Sequence, residues 1–157
     1  MIMNWDTVSW FDGSGNYCTY NSVLESIRNN RSNHEIHIGS DSQPLKDSVV
    51  FAVAVCLYLP GRGAVYFFTR KKTVSKRYKN LGVRLQHESE LAISLADLIR
   101  STTGLDSITV HADVSGNPIN KSSKYSARIQ NFITSMGFKC MIKPHSWAAW
   151  VADKHAK

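Results

Sequence analysis

Polar and apolar positions first fall into a clear alternation in "HEIHIGSDSQ", residues 34–43, where Ile36 and Ile38 interleave with His37 and Gly39. A period of two predicts a strand over 34–40 with one buried face, running out at Asp41. "SVVFAVAVCLYLP" (48–60) is almost continuously apolar and β-branched, as in a central strand. "GRG" supplies a tight turn, and "AVYFFTRKKTV" (64–74) reads as the antiparallel partner. From Leu81 to Arg100 the period becomes helical, and Gly104 follows shortly after the stop.

"SITVHADV" (107–114) predicts a further strand, and "NKSSKYSARIQNFITSMG" (120–137) a helix closed by Gly137. "FKCMIKP" (138–144) predicts a short strand, and "SWAAWVADKHAK" (146–157) a last helix with Ser146 as cap. Ahead of the first strand, "NSVLESIRNN" (21–30) reads as a short helix capped by Asn21 or Ser22. Residues 1–20, aromatic and polar by turns around "DGSGN", read as an extension packed on the domain.

The expectation is one α/β domain over 1–157, with an extension and short helix at 1–33 and a core at 34–157. Its mixed sheet has five strands, three antiparallel and then a parallel β-α-β-α-β run, flanked by helices. If the first strand is central, the strand order reverses beside it, and Asp41 stands at its carboxyl end. Ligands of open α/β sheets bind at such a place.

The chain has 157 residues, 43% of them hydrophobic and 20% charged, ordinary values for a globular domain. The N-terminal stretch has neither the basic nor the apolar region of a signal peptide. The longest apolar run is about a dozen residues, short of the roughly 20 that span a membrane, so no membrane is expected. Cys18, Cys56 and Cys140 form no CxxC pair and fit a reduced, cytoplasmic setting. The net charge of +7 favours a polyanionic partner.

Four carboxylates change what that charge means. Leu81, Leu85, Glu88, Ala92, Leu95 and Ile99 share one helix face, so Glu88 sits in the stripe that should press on the sheet. A bare buried carboxylate costs several kcal/mol unless something compensates it. Glu88 therefore pairs with a core cation or belongs to a site. Asp113 ends "SITVHADV" with His111 on the same face; a parallel fourth strand would set it beside Asp41. Two neighbouring carboxylates repel, and a divalent cation relieves them. Asp41 and Asp113 could equally be turn residues, and Asp153, near Lys154 and Lys157, a solvated helix residue. Oxygen ligands of this kind suit Mg²⁺ or Mn²⁺, and two such ions can activate water against a phosphodiester.

Asp on the first strand, Glu on the first long helix, Asp on the fourth strand and an acid on the last helix resemble the RNase H-like arrangement. More narrowly, "IGSDSQ", "RLQHESEL", "VHADVS" with "NKSSKY", and "IKPHSWAAWVADKHAK" resemble the YkuK-like group of RNase H-related proteins. The resemblance covers most of the chain from residue 35 and implies metal-dependent phosphodiester cleavage, with Asp41, Glu88 and Asp113 as the main ligands. That group's motif often reads "KPDS" where this chain has "KPHS", so a fourth acid must come from Asp153. His145 then either assists water orientation or product release, or is a surface residue beside a cap.

"RKKTVSKRYKN" (70–80) carries six Lys or Arg in eleven residues. Arg70, Lys71, Lys72, Lys76 and Arg77 could track a phosphate backbone, with Tyr78 stacking on a base. Lys121 and Lys124, close to Asp113, would extend the basic rim. The bland alternative is a solvated hairpin end and helix surface. Trp147 and Trp150 read as core anchors. The leading expectation is a Mg²⁺- or Mn²⁺-dependent nuclease acting on RNA, DNA or a hybrid. The alternatives are a nucleic-acid-binding module of the same fold with little or no catalysis, and a junction resolvase-like nuclease. Oligomeric state is not legible.

Overall fold

The valine- and alanine-rich run at the centre of the chain is sorted by its own alternation onto two different faces. Val49, Phe51, Val53, Val55 and Leu57 point into one core; Ala52, Ala54 and Cys56 point into another. The structure, a computed structural model, describes residues 3–30 and 34–157. The first two residues of the expected extension and the link at 31–33 lie outside the described residues.

The elements are β1 (Trp10–Asp12), β2 (Tyr17–Cys18), α1 (Tyr20–Asn30), β3 (Glu35–Pro44), β4 (Val49–Leu59) and β5 (Gly63–Thr73). A short 3₁₀ turn (Lys76–Lys79) leads to α2 (Leu81–Thr103), β6 (Ile108–Ser115), α3 (Ser123–Ser135), β7 (Lys139–Lys143) and α4 (Trp147–Ala156). Among the described residues the sheet has seven strands in the order β2-β1-β5-β4-β3-β6-β7. β3, β4 and β5 are antiparallel, and β6 and β7 run parallel to β3. Helices flank this mixed α/β sheet, as expected.

The expected count of five strands is corrected to seven. The extension does more than pack on the domain: β1 pairs with the edge of β5, Phe11 opposite Phe68, and β2 hairpins back onto β1. Thr69 Oγ1 donates to the Ser9 carbonyl at 2.7 Å, and Trp10 is fully buried between Trp5 and Tyr20. Strands of three and two residues are too short to show a period.

Three boundaries also move. Thr19, not Asn21 or Ser22, caps α1, its hydroxyl accepting from the Ser22 N–H at 3.2 Å. α3 starts at Ser123, because Ser115 and Ser122 hold the preceding residues in turns: Ser122 Oγ accepts from the Ser115 N–H at 3.0 Å, and Ser115 Oγ from Asn120 Nδ2 at 3.1 Å. The first predicted strand extends through Asp41 to Pro44, paired throughout with β4.

One core, of Ile, Val, Leu and aromatic residues, lies under α1, α2 and α3. The other is thin and alanine-rich. There Ala148, Ala152 and Ala156 of α4 meet Ala52 and Ala54. A Cβ on Gly39 would lie 2.3 Å from the Ala148 carbonyl carbon, so α4 sits as close to β3 as backbone allows. This stripe of small residues explains why the tryptophans do not both anchor the helix. Trp147 packs on His37, His111 and Tyr58, but Trp150 is 51% exposed, correcting its expected core role.

Candidate active site

β6 pairs with β3 only as far as Gly39 opposite His111, while β3 continues alongside β4. Asp41 therefore stands just past the point where the parallel neighbour separates. Asp113 lies in the next stretch of β6, where its register with β7 shifts. Alternation puts Asp41 and Asp113 on the same face as His37 and His111, the face that α4 covers. Ser42 points the other way, toward α2. The close seat of α4 brings Asp153 to Asp41, and the stripe of α2 brings Glu88 to Ser42.

Asp41, Glu88, Asp113 and Asp153 thus line one cavity of about 350 Å³, with Ser42, Arg84 and Lys121 among its other walls. Each acid comes from a different element. Ser42 Oγ donates to Glu88 Oε2 at 2.6 Å, while the buried Glu88 Oε1 has no partner among the described residues. Lys143 Nζ is 3.1 Å from Asp113 Oδ1, and Lys157 Nζ is 2.9 Å from Asp153 Oδ2.

Burial, with the charges of Asp113 and Asp153, pushes the Asp41 carboxyl up to about 8. Burial and the nearby Asp41 likewise push Glu88 well above the usual carboxylate range, against the Ser42 hydrogen bond. Burial also acts upward on Asp153. Its bond with Lys157 and the proton it accepts from Asp41 outweigh that and hold it below the ordinary value. Fully ionised, the four acids would outnumber Arg84, Lys121 and Lys143 around them, and the upward shifts of Asp41 and Glu88 relieve that crowding by keeping their protons.

A second device holds α4 in place. His111 Nδ1 accepts from the Ala148 N–H at 3.2 Å, so a neutral His111 carries its proton on Nε2. Burial, with His37 beside it, lowers His111 to about 3 and keeps it neutral. His111 Nε2 then donates to His37 Nδ1 at 2.8 Å, and His37 Nε2 to Glu35 Oε1 at 2.9 Å. The chain of bonds runs in one direction and ties the first turn of α4 to two strands.

The acids supply the all-oxygen donor set of a hard divalent cation, and the partnerless Glu88 oxygen and the protons that crowding keeps on Asp41 and Glu88 fit a place such an ion would take. As they stand, no three His, Cys, Asp or Glu side chains among the described residues are grouped tightly enough to hold one.

A family profile described as ribonuclease H-like matches residues 19–157. The chain belongs to the ribonuclease H-like family. It is also 25% identical over 165 aligned positions to "Uncharacterized protein YkuK" of Bacillus subtilis (strain 168), covering 92% of this chain and 94% of that one. No solved structure matches. A ribonuclease H-like domain points to nucleic acid as substrate or partner. No helix among the described residues is long and apolar enough to cross a membrane.

The basic residues are distributed unevenly around this ribonuclease H-like site. Lys121 lines the acid cavity, and Lys124 lines an adjoining one. Arg70 lies in register with Ala52 and Asp41 across three strands, on the α4 face. Lys71, Lys72, Lys76 and Arg77 are exposed. Tyr78 is a correction: it is 2% exposed, its ring packed on Phe51 and His87, so it is not available to a base. A tyrosine in a basic run gave no sign of that neighbourhood. His145 is exposed and is not among the residues that line the acid cavity.

Sequence reasoning did not single out Ser42, Arg84, Asn120 or Lys143. Arg84 had a legible signal, standing one turn before Glu88; its guanidinium donates to the Tyr78 and Lys79 carbonyls at 3.0 Å each. Lys143 had none, because the strand it ends reaches Asp113 only through the tertiary fold.

Proposed function

We propose that this protein is a metal-dependent nuclease hydrolysing nucleic-acid phosphodiester bonds, with residues 1–157 acting as one domain. The observation that carries the reading is the meeting of four carboxylates from β3, α2, β6 and α4 on one cavity beside basic residues. A polyanion-binding surface gains nothing from carboxylates unless cations bridge them to the phosphate.

In this reading Asp41, Glu88 and Asp113 hold the metal, with Asp153 as the fourth ligand, and Mg²⁺ or Mn²⁺ is the fitting ion. Bound there, one or two such ions supply an activated water and neutralise charge on the leaving oxygen. Ser42 orients Glu88 through its 2.6 Å bond. Lys121 meets the phosphate, and Lys143 exchanges its bond with Asp113 for one to the substrate. His37 and His111 position Asp153 by fixing α4. His145 is outside this reading because it does not line the cavity. The three free thiols fit a reduced, cytoplasmic setting.

A second reading, a binding module of the same fold without catalysis, is favoured by the lysines already paired with Asp113 and Asp153. Cleavage assays separate the two. Labelled single-stranded RNA, single- and double-stranded DNA and an RNA–DNA hybrid are incubated with Mg²⁺, Mn²⁺ or EDTA. Metal-dependent products that disappear with Asp41→Asn are expected. Salt-sensitive binding with no cleavage of any substrate would replace the nuclease reading with the binding module.

A further inference from the structure

Three cavities lie end to end from the acid site along the surface. The acid cavity shares Leu81, Asn120 and Lys121 with a second of about 570 Å³. The second shares Asn80 and Tyr125 with a third of about 550 Å³, between the start of α2 and α3. The shared walls place the three next to one another, as a groove of three hollows leading from the acid site.

Its walls are cationic along the length. Lys121, Lys124, Arg77 and Arg128 are exposed, and among the described residues none of them is ion-paired with a carboxylate. The other direction out of the acid cavity differs. The adjoining cavity beyond Lys143 is lined by Ser115, Gly116, Asn117, Asn120, Ile142 and Pro144, and its one cation among the described residues is Lys143, which is occupied by Asp113.

Tyr125 stands at the junction of the second and third cavities, in a prepared seat. A Cβ on Gly82 would lie 2.6 Å from its ring, so only glycine in the first turn of α2 lets the ring lie there. Lys124 Nζ and Arg128 Cζ are 5.2 and 5.5 Å from the ring centroid. Asn80, on the same rim, is fixed by capping α2, its Oδ1 accepting from the Val83 N–H at 3.1 Å. Glu90 also lines the third cavity. A carboxylate repels phosphate but accepts from the amino group of a nucleobase, which suits that cavity to a base.

We propose that this groove is a track for a single-stranded segment of polynucleotide, one base stacking on Tyr125 while Lys121, Lys124 and Arg128 hold phosphates. A base within a duplex has both faces covered by its neighbours, so an aromatic platform flanked by cations selects an unpaired strand. The track deepens the nuclease reading and rests on it only for where the scissile bond would sit.

The test is fluorescence anisotropy of labelled single strands of roughly 12 nucleotides, as RNA and as DNA, beside the corresponding duplexes. EDTA is present throughout, so binding is read apart from cleavage. Native protein is expected to bind the single strands more tightly than duplex; the RNA and DNA arms identify the sugar preferred. Tyr125→Ala should weaken single-strand binding by about 5- to 150-fold, and Tyr125→Phe should retain it. Arg128→Ala, at an exposed helix position, should lower the slope of log K against log salt by about one contact. Lys139→Ala, at the opposite end of the strands, should leave the slope unchanged. Unchanged affinity in both Tyr125→Ala and Arg128→Ala would overturn the track even if the protein cleaves. Tyr125-dependent binding without cleavage under any metal would support the track while the nuclease reading falls.

Discussion

Ser42 Oγ and Glu88 Oε2 are 2.6 Å apart, joined across 46 positions of sequence. Ser42 faces α2 while the adjacent Asp41 faces α4, so one β3 dipeptide engages acids on both sides of the sheet. Glu88 Oε2 has this bond, and Oε1 has none among the described residues. Ser42→Ala leaves both oxygens of a buried carboxyl without a donor. The metal-free protein should lose about 1–3 kcal/mol of stability, and Ser42→Thr should recover part of it. Thermal unfolding in EDTA of the three proteins checks this; equal midpoints would show that the bond contributes nothing.

The crowding around Asp41 predicts an unusual pH dependence for the metal-free protein. Its carboxyl is raised from 3.8 to about 8 in the folded state. Below the unfolded value both states carry the proton and nothing is lost. Between about 4 and 8 the unfolded chain has released a proton that the folded state keeps, so stability falls as pH rises. Above about 8 the loss is complete and constant. Asp41→Asn removes the titration. Its midpoint should exceed that of the native protein at pH 8 and approach it at pH 4. Urea or thermal unfolding in EDTA at the two pH values checks this, and a native midpoint that rises over the interval would reject the electrostatic account.

Gly39 predicts a remote effect on the site. Alanine there drives a Cβ into the Ala148 and Ala149 backbone, at 2.3 and 2.4 Å, and these atoms cannot swing aside as a side chain could. α4 must shift and carry Asp153 away from Asp41. Gly39→Ala should cost about 1–3 kcal/mol and reduce cleavage more than the stability loss explains at temperatures where it remains folded. Circular dichroism melts beside cleavage rates at a low assay temperature separate the two. Full activity in a folded Gly39→Ala protein would mean that the position of α4 does not matter to the chemistry.

Some of this architecture could be read from residue spacing, and the limits have physical causes. Glu88 was legible because a helix of 23 residues repeats its buried face often enough to expose one charged exception. The β3–β4–β5 meander was legible from alternation and the "GRG" turn. β1 and β2 were not, since their pairing energy comes from the β5 edge, where Phe11 meets Phe68 and Asp12 meets Phe67, far along the chain. Tyr78 misled because a basic run conceals which single position turns inward. The small-residue face of α4 misled in the opposite sense: tryptophans attract attention, but the alanines between them make the contact that sets Asp153 beside Asp41. Ser42 and Lys143 become visible only when separate elements meet.

Lys143 offers the sharpest test of whether Asp113 is a metal ligand in the nuclease reading. Its ammonium lies 3.1 Å from Asp113 Oδ1, occupying the charge that a divalent cation would need. If Asp113 is a ligand, lysine and metal compete for it. Lys143→Met, which keeps the length of the stem and removes the charge, should then bind Mn²⁺ several-fold more tightly. Its maximal cleavage rate should nevertheless fall, since Lys143 no longer reaches the substrate phosphate. Isothermal titration with Mn²⁺ reads the first effect and saturating-substrate kinetics the second. The opposed signs matter, because a merely damaged site would lose both. A Mn²⁺ affinity that does not change in Lys143→Met but collapses in Asp41→Asn would place the ion on Asp41 and Glu88 without Asp113. Asp113 would then be a structural partner of Lys143, holding the end of β7 against β6.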